Sequence, residues 1–85
     1  MMSENPEELK KPLEKSEELK ELAYIAANMK LPANLRIDAI KQLGNIATYE
    51  AFLVLLNIAA NEGLITKERD LALKQAREVL KKTSP

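Results

Sequence analysis

Apolar residues in this chain recur at three- and four-residue steps, the period of a helix face, and nowhere alternate one by one as in a strand. Leu19, Leu22, Ala23, Ile25, Ala26 and Met29 form the first such stripe. Ser16, followed by Glu17 and Glu18, is its candidate N-cap, with acids in the first turn where the helix dipole favours them. Pro32 stops the helix, and a second is predicted over about 33–47 with a stripe of Leu35, Ala39, Ile40, Leu43, Ile46 and Ala47. Thr48 is a candidate cap for a third helix, closed by Gly63 as a left-handed C′ residue. Thr66 is the candidate cap of a fourth, running to about Lys82.

These four segments are two copies of one unit. "IAAN" occurs at 25–28 and again at 58–61, and a shift of 33 residues superposes much more than this word. Leu22 falls on Leu55, Leu31 on Leu64, Arg36 on Arg69, Ala39 on Ala72, and Lys41-Gln42 on Lys74-Gln75. Conservative pairs extend the frame: Leu19 with Phe52, Ile40 with Leu73, Ile46 with Val79. The expected fold is all-α, a stack of two antiparallel helical hairpins occupying 16–82 as a single domain. The first hairpin spans about 16–47 and the second about 48–82. Residues 1–15, which repeat the word "EELK" and carry two prolines, are expected to form a flexible or partly helical arm, and 83–85 a tail.

The stretch "LRIDAIKQLGNIATYEAFLVLLNIA" (35–59) resembles the HEAT repeat, in particular its short form in phycobilin lyase-like proteins. Arg36, Ala39-Ile40, Leu43-Gly44, Ile46 and Glu50-Ala51 carry the likeness, which extends over roughly 16–82. Asn28 and Asn61 stand near the place of the family's usual turn aspartate, and Arg77 replaces a second glycine opposite Gly44. The resemblance implies a right-handed, α-solenoid-like stack and a role in binding rather than catalysis.

Differences between the units predict which surfaces meet water. The third helix is apolar around most of its circumference, with only Glu50, Asn57 and Asn61 as a polar seam, so it is expected at the centre. Its counterpart has Lys20 and Glu21 where it has Leu53 and Val54. The fourth helix has Glu68, Asp70 and Arg77 where the second has Leu35, Ile37 and Gly44. Both ends therefore read as polar caps of a complete two-unit array, as repeat proteins need for solubility.

Composition narrows the chemistry. The 85 residues contain no cysteine and no histidine, which removes thiol nucleophiles, disulfides, the usual zinc ligands and the commonest general base. Two glycines make no phosphate loop, and no EF-hand spacing is present. No catalytic residue, metal or cofactor is expected, and Glu17, Glu18 and Glu21 read as a solvated first turn. The stretch "AFLVLLNIAA" is too short to span a bilayer, and no signal peptide is visible; a cytoplasmic protein without membrane attachment is expected. Abundant Glu, Lys, Leu and Ala are compatible with a thermophilic source.

Thirteen basic and thirteen acidic side chains cancel, but residues 1–21 are acid-rich and 66–85 base-rich, which suggests head-to-tail homo-oligomers as one assembly mode. The leading expectation is a protein-binding adaptor or accessory subunit whose interface uses Tyr24, Asn28, Tyr49, Asn57 and Asn61, tyrosine being a favoured interface anchor. The alternative is a nucleic-acid-binding module with a basic ladder of Arg36, Lys41, Arg69, Lys74 and Arg77. Nucleic acid ranks second because the total charge is zero and no aromatic residues stand among these basic ones for stacking.

Overall fold

The computed structural model of the chain describes residues 15–83, with side chains from 17 to 82. Every regular element among them is α-helical: α1 (Lys15–Ala27), α2 (Ala33–Ile46), α3 (Tyr49–Ala59) and α4 (Thr66–Thr83). The arm expected over 1–15 lies outside the described residues except for Lys15, the first residue of α1. Of the expected tail, Thr83 ends α4 and the rest lies outside. The side chain of Ser16, and with it the proposed cap, is outside as well.

The 33-residue frame reappears in the backbone bonds of the turns. In the first turn the N–H of Asn28 donates to Ile25 O at 3.2 Å and that of Leu31 to Asn28 O at 3.1 Å. The second turn repeats both bonds, Asn61 to Ile58 at 3.1 Å and Leu64 to Asn61 at 3.1 Å. The Asn28 Oδ1 accepts from Lys30 N, and Asn61 Oδ1 accepts from Gly63 N, each at 2.9 Å, so each asparagine closes its turn as an Asx bond.

These bonds correct the role expected of Gly63. It is not left-handed, and Ala60, in right-handed helical geometry, is the C-cap of α3. The frame puts Lys30 in Gly63's place in the first turn, so the geometry there does not demand glycine. The left-handed residue is Ala47, with φ 57° and ψ 38°, where the chain reverses between α2 and α3. Its N–H returns to Leu43 O at 3.5 Å. Thr48 then caps α3 as predicted, its Oγ1 accepting from Ala51 N at 3.1 Å. Thr66 is instead the first residue of α4, one position too late to cap it; Ile65 O accepts the N–H groups of Glu68 and Arg69.

Helix α1 packs against α2 and α3 against α4, while α2 also meets α4 and α3, and α3 also meets α1. Among the described residues α1 and α4 do not touch. Helices α2 and α3 therefore share the central place expected of α3 alone. Ile40, Leu43, Leu55 and Val79 are the large side chains fully excluded from water, with Ala26, Ala39, Ala51 and Ala72 between them. Small residues let helices approach, and Gly44 is one of them, facing Gln75 of α4. A Cβ added there would lie 1.9 Å from Gln75 Oε1 and 3.2 Å from Gln75 Cβ, so a larger residue would push the Gln75 side chain aside and crowd its stem.

Two residues of the expected stripes, Met29 and Leu35, are exposed. The fate of Leu35 inverts the reading of its counterpart. Glu68 was expected on an outer polar face, but it is only 2% exposed. Glu68 on α4 looks toward Arg36 on α2, whereas Leu35, at the same position of the 33-residue frame, has no earlier described helix in that place.

Candidate binding surfaces

Glu68 is buried because Arg36 is there to meet it. Their contact is a two-pronged fork, Arg36 Nε to Glu68 Oε1 and Arg36 Nη2 to Glu68 Oε2, both at 2.8 Å. The remaining guanidinium nitrogen, Nη1, donates to Leu31 O. Hydrogen bonding to Glu68 raises the Arg36 pKa above its usual value; burial works against the rise and the carboxylate's charge adds to it. With Arg36 only 3% exposed and each of its three side-chain nitrogens already donating a hydrogen bond, it has no fork left for an external phosphate. It joins α2 to α4.

Arg69, its counterpart, is half-buried, and its Nε donates to Ala59 O at 2.9 Å, near the C-terminal end of α3. That is a favourable place for a cation, beside carbonyls a helix leaves unpaired. Two rungs of the expected basic ladder are thus turned toward the protein's own backbone and carboxylate. Lys41 and Lys74 do come together, along an open groove between α2 and α4. Ile37 and Leu71 form its floor, and Lys67 and Asp70 complete the rim. Arg77 is exposed on α4 outside this lining.

The first helices of the two hairpins, α1 and α3, carry the other expected surface. Tyr24 and Tyr49 are both 69% exposed. Tyr24 shares a shallow depression with Ala27, Asn28, Met29 and Lys30, so Asn28 and Tyr24 are neighbours even though the asparagine side chain is occupied by its turn. Asn57 and Asn61 are exposed, with Glu50, along the polar seam of α3. Asn61, like Asn28, is tied to its turn.

Beside that seam runs a stripe the choice of Tyr49 touched without identifying. Tyr49, Phe52, Leu53 and Leu56 are spaced i, i+3, i+4, i+7 and lie on one face of α3, with Ala60 continuing the spacing at its C-cap. The Tyr49 and Phe52 rings stack with centroids 6.1 Å apart and planes inclined by 30°. Leu53 is 41% exposed, while Phe52 and Leu56 are half-buried with their inner sides on the core. The spacing was visible in the sequence. What hid it was the apolar character of the rest of the helix, which made every face look equally buried.

The α1 surface facing α3 explains why this stripe is open. A groove between these helices is lined by Leu19, Lys20 and Ala23 of α1 and by Glu50 and Val54 of α3. In the repeat frame Leu19, Lys20 and Ala23 correspond to Phe52, Leu53 and Leu56. The face that α1 turns toward the next hairpin is thus the face that α3 turns outward, and it has become more apolar.

No helix among the described residues is long and apolar enough to cross a membrane. No family model, curated protein or solved structure matches the chain, so its own residues carry the functional reading.

Proposed function

We propose that this chain is a small protein-binding module of HEAT-like type, two helical hairpins stacked with right-handed sense, serving as an adaptor or accessory subunit in the cytoplasm. The α3 stripe is the observation that carries the reading. It is a row of apolar and aromatic residues, with Tyr49 and Leu53 exposed and Phe52 and Leu56 half-buried, on a helix that otherwise contacts all three others. Water contact with such a row is unfavourable by roughly 25 cal/mol per Å² of apolar surface, a cost that docking removes. Tyrosine at its edge combines a large apolar contact with a hydroxyl that tolerates solvent, and the polar seam of Glu50, Asn57 and Asn61 supplies a rim. A helix of a partner laid along α3 would continue the side-by-side packing already made by α1.

The test is capture from an extract of the source cell by the tagged protein, alongside a Leu53→Asp variant. Leu53 is on the surface, so the variant should keep the wild-type helical content and melting temperature. A protein retained by the wild type and lost by the folded variant is the expected result. Retention by both, or by neither, overturns the assignment of the stripe.

A further inference from the structure

The groove between α2 and α4 differs chemically from the α3 stripe and lies on the second helices of the hairpins. Its apolar floor comes from one residue of each unit, Ile37 and Leu71. The pair arises from a local inversion in the repeat: "RIDA" at 36–39 becomes "RDLA" at 69–72, moving the aliphatic residue one place along. The sides of α2 and α4 that face each other are different sides of the repeat unit. A one-residue displacement therefore brings both aliphatic side chains to the same groove instead of setting one of them outward.

Around this floor stand three exposed lysines, Lys41, Lys67 and Lys74, and one carboxylate, Asp70. Lys41 and Lys74 are equivalent in the two units, so the repeat itself places a cation on each wall. Lysine stems extend the apolar lining while their ammonium groups remain in water. A ligand complementary to this groove needs an apolar side chain for the floor and negative charge on both flanks.

We infer that the α2–α4 groove is a second docking surface, for an acidic amphipathic peptide segment that lays an aliphatic side chain on Ile37 and Leu71 and carboxylates toward Lys41, Lys67 and Lys74. This goes beyond the α3 stripe, since it specifies a different face and the charge of its partner. Nucleic acid fits the groove less well. No arginine fork lines it, Arg36 being committed to Glu68 in the interior; the floor is aliphatic with no ring for a base to stack on; and Asp70 opposes a phosphate on the rim.

Fluorescence anisotropy with a labelled synthetic helix, leucines on one face and glutamates on the other, tests the inference. Three further probes accompany it: the same peptide with serine for leucine, the same with lysine for glutamate, and a labelled DNA duplex. The Leu/Glu peptide should bind, more weakly as salt is raised. Its affinity should fall by about tenfold or more in Lys41→Glu/Lys74→Glu. Lys41→Gln/Lys74→Gln should give a smaller loss in the same direction, and both variants should stay folded because the lysines are exposed. The serine and lysine peptides should bind markedly less. Leu53→Asp should leave peptide binding unchanged, which separates failure of this groove from failure of the α3 stripe. Absence of peptide binding at low salt, indifference to the lysine substitutions, or equal binding of the serine peptide would overturn the inference. Tighter binding of the duplex, lost on charge reversal, would reassign the groove to nucleic acid.

Discussion

Arg36 and Arg69 occupy the same position of the 33-residue repeat frame, and they end in different bonds. Arg36 reaches forward out of its own hairpin to Glu68, and the pair is almost wholly excluded from water. Arg69 turns back to Ala59 O within its own hairpin and stays half-exposed. Position in the repeat fixes where an arginine starts; the neighbour it finds, or lacks, fixes what it does. The same lesson covers Leu35 and Glu68, where the leucine is exposed and the glutamate buried because, among the described residues, only the second faces a preceding unit.

The most damaging way to break this comparison is Glu68→Leu, which puts the first unit's residue into the second. It leaves a buried guanidinium without its carboxylate, and removing one partner of a buried ion pair is much worse than removing both. A melting-temperature fall of roughly 10–20 °C is expected, with most of it recovered in Arg36→Leu/Glu68→Leu. A single substitution as mild as the double one would show that the fork contributes little to joining α2 and α4. Next comes Leu55→Ala, expected to cost about 2–5 kcal/mol in denaturant unfolding because Leu55 is fully buried between several helices. Leu22→Ala at the equivalent position should cost less, since α1 is an outer helix and Leu22 retains some exposure.

Gly44→Ala sharpens the comparison further. The new methyl group must displace Gln75, at a cost of about 1–3 kcal/mol, less the roughly 1 kcal/mol by which alanine favours helix over glycine. Gln75→Ala in the same chain should restore stability, whereas Arg77→Ala, at the surface position that corresponds to Gly44, should change it little. Arg69→Ala should cost about 1–2 kcal/mol, for one charged hydrogen bond to a carbonyl, well below the loss in Glu68→Leu. Loss as large as that of Glu68→Leu would mean that the two arginines are equivalent after all.

Much of the fold was legible because helix periodicity and the 33-residue frame are local properties. The bounds of α2, the Thr48 cap and the identical turns at Asn28 and Asn61 follow from residues close in sequence. The errors arose where a residue's surroundings come from another unit. Glu68 looked like a solvent-facing substitution because a carboxylate in place of leucine normally marks a surface. Its partner, 32 residues earlier, was noticed only as half of a repeated arginine pair. Gly63 was assigned a left-handed backbone on residue type alone, although Lys30 at the same place in the frame argued that any residue would serve. Ala47 gave no such hint, because alanine does not favour the conformation that the turn imposes on it. The proposed binding surfaces were legible in their tyrosines and lysines. The apolar residues between them, Leu53 on α3 and Ile37 with Leu71 in the groove, could not be told from core without the packing.

Helices α2 and α3 are joined by only two residues outside helix, Ala47 and Thr48, one held left-handed and the other occupied in capping. This short connection, together with the packing of α2 on α4 and of α1 on α3, couples the opening of one half to that of the other. The buried fork across the same junction ties the halves a second time. Backbone amides at the centres of α2 and α3 should consequently exchange with solvent at one common rate, limited by opening of the whole assembly, instead of reporting two separate thresholds.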